Sequence, residues 1–232
     1  MKKATLFYAA LLFLTTLSFG VLAQDDTRTF TATGFTKLSM GSAFKIEVKQ
    51  GSNFNISTSG RREDLDDLEA AVRGGTLHLG YKNTSRNRNR KTVNVSITMP
   101  ALSGIDFSGA SKANVARFSG VRMMDIEVSG ASSVVMSLSA PKVNFDISGA
   151  SSLALSGNGD VLTGEVSGAS SFKGRDFSSK TANIDASGAS SAAVAASAAV
   201  NAEASGASTI RYSGGAKDVH ASTSGASSIK RD

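Results

Sequence analysis

From residue 101 onward, apolar and polar side chains alternate in short runs, and the runs return in copies. Ser-Gly-Ala-Ser begins at residues 108, 129, 148, 167, 187, 205 and 224, so successive copies stand 21, 19, 19, 20, 18 and 19 residues apart. Upstream of the first Ser, the odd-numbered offsets are mostly apolar, as in Met124, Ile126 and Val128 or Val143, Phe145 and Ile147. Five residues after it the apolar character returns, as Val134, Leu153, Phe172, Ile210 and Ile229. A period of two marks a strand with one inward face, and a fixed repeat of this length marks a solenoid. Each coil is therefore expected to run strand, corner, strand. Gly turns the corner because it accepts positive φ, and Ala beside it is small enough to stack on its copies. The predicted fold class is all-β: a right-handed β-helix or β-solenoid with coils of ~19 residues, rising about 4.8 Å per coil. The inward positions between Ser190 and Ala204 are nearly all Ala, so this stretch is expected to bury the least apolar area and to be the least stable.

Before residue 101 the repeat is absent but strand patterns persist. "FTATGFTKLSM", "AFKIEVKQ" and "FNISTS" read as strands separated by Gly-containing turns. Arg61 to Val72 reads as a short helix with Leu65, Leu68 and Val72 on one face and acids near its start. "GTLHLGY" and "KTVNVSITMP" read as a hairpin around the loop "KNTSRNRNRK". The expected organisation is a signal peptide over 1–23, an N-terminal β-rich part carrying one short helix over 24–100, and the repeat solenoid over 101–232. Lys2 and Lys3 precede an apolar run from Ala4 to Phe19, and small residues approach Ala23, which is the layout of a secretory signal. The product is expected to be exported to the periplasm, cell surface or medium and not to span a membrane once the signal is cleaved.

Composition narrows the chemistry. With no Cys in the chain, disulfides, thiolate catalysis and Cys-based metal sites are excluded. Residues 24–100 carry 12 Lys and Arg against 8 Asp and Glu, while 101–232 balance at 11 against 11, so only the first part is basic. The two His, His78 and His220, are far apart and have no sequence partners that would make a triad or a zinc site. Ser170 to Lys173 and Ser227 to Lys230 match Ser-x-x-Lys without its companion motifs. After signal removal no Trp and only two Tyr remain to form a sugar platform.

One chemical pattern follows the repeat. Two residues before each first Ser stand Asp106, Glu127, Asp146, Glu165, Asp185 and Glu203, interrupted only at Ser222. Stacked one per coil they would form a column of carboxylates whose neighbours repel by about 0.9 kcal/mol in water before screening. Solvent, corner hydroxyls and nearby Lys offset that repulsion in one reading. In another, the column is a metal or polycation strip, with Asn144, Asn183 and Asn201 adding oxygen ligands suited to Ca²⁺. A second candidate is the loop carrying Lys82, Arg86, Arg88, Arg90 and Lys91, which could touch an anionic partner or stand as a solvated tip. It lacks the aromatic platform that single-stranded nucleic acid needs, and no nucleic acid partner is expected. No cofactor and no catalytic residue are expected.

The run "GSAFKIEVKQGSNFNISTSG", then "EDLDDLEAAVRGGTLHLGYKN", then "VNVSITMPALSGIDFSGAS" with its further "SGASS" copies resembles the head GIN domain family, exported bacterial proteins described as putative auto-transporter adhesins. Gly104, Ile105 and Asp106 stand where the family's Gly-Ile-Asn-like signature is expected. The resemblance spans the chain after the signal and implies a β-solenoid of two abutting parts, with no catalytic residues to transfer. No membrane barrel follows the repeats, so self-translocation is not expected. The expected function is a non-enzymatic envelope or secreted module that binds an unknown surface protein or glycan. The alternatives are a carbohydrate-active enzyme on a β-helix scaffold and a cation-binding module.

Overall fold

A computed structural model describes residues 25–82 and 89–232; the expected signal peptide and Arg86 and Arg88 of the basic loop lie outside the described residues. Its repeats stack as coils, each made of two strands joined by a Ser-Gly-Ala-Ser corner. Coil I is β8 (Gly104–Ser108) and β9 (Lys112–Phe118), coil II is β10 (Met123–Val128) and β11 (Ser133–Ser139), and coil III is β12 (Lys142–Ile147) and β13 (Ser152–Asn158). Coil IV begins with β14 (Val161–Val166) and passes its corner into β15 (Ser171–Ala186), which bends through register shifts at Gly174 to Thr181 and supplies the first strand of coil V. In the same way β16 (Ser191–Ala204) closes coil V and opens coil VI, which ends with β17 (Thr209–Ser213); coil VII is β18 (Asp218–Thr223) and β19 (Ser228–Arg231).

All these strands pair in parallel with their counterparts one coil away; the first ladder keeps register throughout, and the second shifts register between β9 and β11, between β13 and β15 and between β15 and β16. Two ladders result, one on each side of the corner. The first holds the strands before the corners and the second those after. Inward residues of both meet in one core, where the rings of Phe145 and Phe172, one from each ladder, stack 4.1 Å apart.

The corner glycines form a single file. Gly109, Gly130, Gly149, Gly168, Gly188, Gly206 and Gly225 hold φ between +71° and +78°. The Ala after each donates its N–H to the Gly carbonyl one coil earlier, at 2.7 to 2.8 Å from Ala131 through Ala226. The last Ser of each corner turns inward, and its polar atoms are satisfied there: the Ser190 hydroxyl donates to Val166 O at 2.9 Å and that of Ser208 to Ala186 O at 3.0 Å. A buried hydroxyl is tolerated because it has this partner.

The N-terminal part extends the same ladders by an indirect path. β2 (Lys37–Gly41) and β3 (Phe44–Gln50) form a rung of their own around Gly41 to Ala43, with β2 parallel to β8 and β3 parallel to β9. β6 (Thr76–Tyr81) and β7 (Val93–Met99) form the rung beyond it, parallel to β2 and β3 respectively. They are not the expected hairpin. Each already has both edges occupied, because β5 (Leu68–Arg73) pairs antiparallel on β6, and β4 (Asn55–Gly60) pairs antiparallel on β7 and carries β1 (Asp26–Phe30) outside it. Antiparallel strands thus cap this end of both ladders and leave β5 and β1 as its edge strands.

The expected helix is also shorter than its pattern. Helix α1 covers only Arg62–Asp66, and Leu68 onward joins β5. The spacing of Leu65, Leu68 and Val72 fits a helix, yet Leu68, Ala70 and Val72 also alternate as a strand does, and pairing with β6 decides between them. Val72 shares the core side of β5 with Leu68, opposite Leu77, yet it is 36% exposed because β5 lies at the edge.

Candidate functional site

The register of the first ladder places the acids as their spacing required. Asp106 is the partner of Glu127, Glu127 of Asp146, Asp146 of Glu165, Glu165 of Asp185, and Asp185 of Glu203, with Ser222 beyond. All point outward, and all but the half-buried Asp106 are exposed. In the other direction the column continues through Ser39 to His78. Corner Ser residues flank the acids on one side, and with Glu165, Asp185 and Glu203 they line a shallow polar groove.

On the other side runs a hydrogen-bonded column. Lys37 Nζ lies 3.4 Å from Asp125, Asn144 donates to Asp125 at 3.0 Å, Asn183 donates to the Thr163 hydroxyl at 3.3 Å, and Asn201 donates to Asn183 at 2.7 Å. His220 follows Asn201 in register, 3.0 Å from Asp218. The amides named as added ligands therefore spend donors and acceptors on each other. Among the described residues no three His, Asp or Glu side chains come together as a metal set.

The row His78, Ser39, Asp106 brings a base, a hydroxyl and an acid into adjacent rungs. Ser39 donates its hydroxyl proton to Asp106 at 3.0 Å. A nucleophilic serine needs its proton directed at the imidazole, with the acid behind that imidazole; this order places the serine between the two. Ser170 likewise turns inward and donates to Gly149 O at 3.3 Å, whereas Lys173 faces outward, so this Ser-x-x-Lys match is not an assembled pair. Ser227 donates to Ala204 O at 2.8 Å.

The described residues of the basic loop are held by α1 and the turn after it. Arg90 pairs with Asp67 and lies over the Tyr81 ring at 3.7 Å. Lys82 donates to Asp66 O at 3.1 Å, and the Lys91 N–H donates to Asp64 at 3.1 Å. Asp64 itself is buried and also takes two hydrogen bonds from Arg61, at 3.0 and 3.1 Å. Burial pushes the Asp64 carboxyl up, but the bonds from Arg61 and Lys91 and the charges of Arg61 and Arg90 outweigh it, leaving its pKa below the usual carboxylate value. Burial raises the Tyr81 hydroxyl, reinforced by Asp64 and Asp67. The hydrogen bond to Asp64 raises the Arg61 guanidinium. Neither this ion pair nor its role in fastening the loop was visible in the sequence, where Arg61 and Asp64 read as the polar start of a longer helix.

The second ladder carries a pattern that sequence reasoning missed. Four and six residues past the first Ser, its outward columns are mostly Ser, Thr and Ala interrupted by cations, with Glu47, Asn114 and the exposed Val135 in the second of them. Lys45 and Lys112 are register partners, and Lys173, Arg211 and Lys230 share the next column. The signal was present as an offset from the repeat, equal for Lys173, Arg211 and Lys230.

Comparison with known proteins agrees with this architecture. A putative adhesin from Bacteroides fragilis superposes with a TM-score of 0.81 at 22% identity, over 90% of this chain and 98% of that one. A putative adhesin from Parabacteroides distasonis gives 0.70 at 14% identity, over 90% and 97%. A putative lipid binding protein from the same species gives 0.66 at 17%, over 91% and 98%. At these identities the likeness is one of fold. No curated protein matches the chain. The sequence profile described as "Putative auto-transporter adhesin, head GIN domain" matches residues 34–216, which is most of the chain and includes the corners of coils I to VI. The chain belongs to this head GIN domain family.

Proposed function

We propose that this protein is a non-enzymatic, exported binding module that meets a surface protein or glycan with the lateral faces of its solenoid. The observation that carries the reading is the arrangement of the outward columns. They run the length of both ladders as rows of stacked side chains, and the row that combines His, Ser and Asp has its hydroxyl turned to the carboxylate. Membership in a family described by adhesion supports the same reading, as do the lysines ahead of the apolar N-terminal run. Among the described residues no helix is long and apolar enough to cross a membrane.

The test is a binding screen of the purified protein against a glycan array, whole bacterial cells and lipid vesicles. Substitutions confined to outward columns serve as controls that leave the core intact. Binding to glycan or cells that is lost when one face is altered supports the proposal. No binding on any arm, vesicle binding alone, or turnover of a polysaccharide that is lost in Glu165→Gln, refutes it.

A further inference from the structure

The two ladders are oppositely charged, and their charges repeat at the same interval. On the first, the six acids of the column are joined by Asp125 and Asp218, against Lys37 and Lys142. On the second, the two columns nearest the corner carry Lys45, Lys112, Lys173, Arg211 and Lys230, against Glu47. Among the described residues, Lys112, Lys173 and Lys230 have no carboxylate within ion-pairing distance, and Arg211 reaches only Asp232.

We propose that these faces bind each other between molecules: the acidic first ladder of one copy docks on the basic second ladder of the next, side by side with their axes aligned. Charge complementarity points to a polar partner, and the spacing points to a second copy of this chain. A ligand with its own repeat would drift out of step with the columns within a few coils. A second copy cannot, because its cations are separated by whole numbers of the same coil that separates the carboxylates. With the coils level, Lys112 faces Asp106, Lys173 faces Glu165 and Arg211 faces Glu203. Sliding by one coil exchanges partners and keeps three pairs, for instance Lys173 with Asp146, Arg211 with Asp185 and Lys230 with Glu203. The contact is heterologous, since the two surfaces are different patches, so it does not close on itself as a two-fold dimer does. The expected product is a concentration-dependent series of lateral assemblies. This goes beyond the binding role proposed above, and it stands or falls without it.

Sedimentation velocity of the purified chain tests the idea at about 20 mM and about 300 mM salt, where the Debye length falls from well above to well below the width of one coil pair. Average mass is expected to rise with protein concentration at low salt, and the association to weaken by about tenfold or more at high salt. Asp146→Lys, Glu165→Lys, Asp185→Lys and Glu203→Lys together reverse the first face in both registers, and Lys173→Glu with Arg211→Glu reverses the second. These side chains are exposed, and circular dichroism checks that each variant folds. Each variant alone is expected to be monomeric at low salt, and an equal mixture of the two to associate again. A wild type that stays monomeric at low salt, an association indifferent to salt, association retained by either variant alone, or a mixture that fails to recover would each overturn the proposal.

Discussion

Replacing Gly130 and Gly120 by Ala separates the two burdens that a corner residue carries. Both glycines have φ +74°. Gly120 lies in the turn between coils I and II, where an added Cβ would meet nothing within 4 Å. Holding Ala at this φ costs about 1–2 kcal/mol, offset by roughly 0.4–1 kcal/mol because Ala restricts the unfolded chain. The net loss for Gly120→Ala is therefore about 1 kcal/mol. At Gly130 the same Cβ would lie 2.5 Å from Gly109 O and 3.0 Å from Gly109 N. Backbone atoms cannot swing aside as a side chain would, so the two coils must part. The Ala131 N–H bond to Gly109 O, now 2.7 Å, would stretch past the normal limit of ~3.2 Å and lose about 1 kcal/mol. Displaced core contacts of both coils add a further 1–2 kcal/mol, in line with overpacking. Gly130→Ala is thus expected to lose about 3–4 kcal/mol, read as a shift of the urea midpoint monitored by circular dichroism. If the two variants lose the same stability within about 0.5 kcal/mol, which is the usual scatter between independent sites, the stacked glycine file is not what restricts this position.

Amide exchange should be at least about tenfold faster in coil V than in coil III, because Ala182, Ile184, Ala186 and Ala192 occupy the positions that Val143, Phe145, Ile147 and Leu153 fill. Roughly ten fewer buried carbons remove on the order of 8 kcal/mol of gross apolar burial, so equal protection measured by mass spectrometry would contradict the packing account. Asp64→Asn should destabilise by about 1–3 kcal/mol at neutral pH, because the amide keeps one oxygen for the Lys91 N–H but loses the charge and the second acceptor that Arg61 uses. The lowered pKa means that this contribution is present above the unfolded carboxyl value near 3.8 and is lost as pH falls through the folded value. The gap between wild type and variant in denaturation midpoint should therefore close on acidification, and a gap that widens refutes the assignment. Asp146→Asn should gain about 1 kcal/mol at low salt by removing two neighbours that repel by about 0.9 kcal/mol each before screening, and the gain should fade in thermal melts at high salt. Millimolar Ca²⁺ should shift the melting temperature no more than NaCl of equal ionic strength, since no described set of side chains converges on a cation.

Repetition made the solenoid readable. A side-chain period of two fixes strand and facing, and a constant repeat converts equal letters into columns, so the glycine file and the acid column followed from spacing alone. The N-terminal rungs were less readable because their order in space is not their order in the chain. β2 and β3 come first in sequence yet sit between β6 with β7 and coil I, and nothing local in "GTLHLGY" records that both its edges are taken. Leu65 to Val72 satisfied two periods at once, and the local hairpin with β6 across Gly74 and Gly75, both at positive φ, chose between them. The basic loop shows the limit of the rungs again at a site. Arg90 and Lys91 read as exposed charge, while the acids that hold this segment, Asp64 and Asp67, lie more than twenty residues earlier.

The fold draws on two sets of columns, the inward apolar residues and the corners, and leaves the outward columns free to vary. Ser222 shows this freedom: it interrupts the acids, yet its strand pairs with that of Glu203 in the same register. Carboxylates one coil apart oppose stacking, and any neutral residue would relieve them. The opposition is costly in coil V, where Ala182, Ala186 and Ala192 line the core, and Asp185 is present there as well. A feature that works against the coil at every step, and that the coil demonstrably does without, has its cause on the solvent side of the sheet. That places the explanation of the acids in whatever this face meets, and among the described residues a complementary surface with the same spacing is supplied by the second ladder.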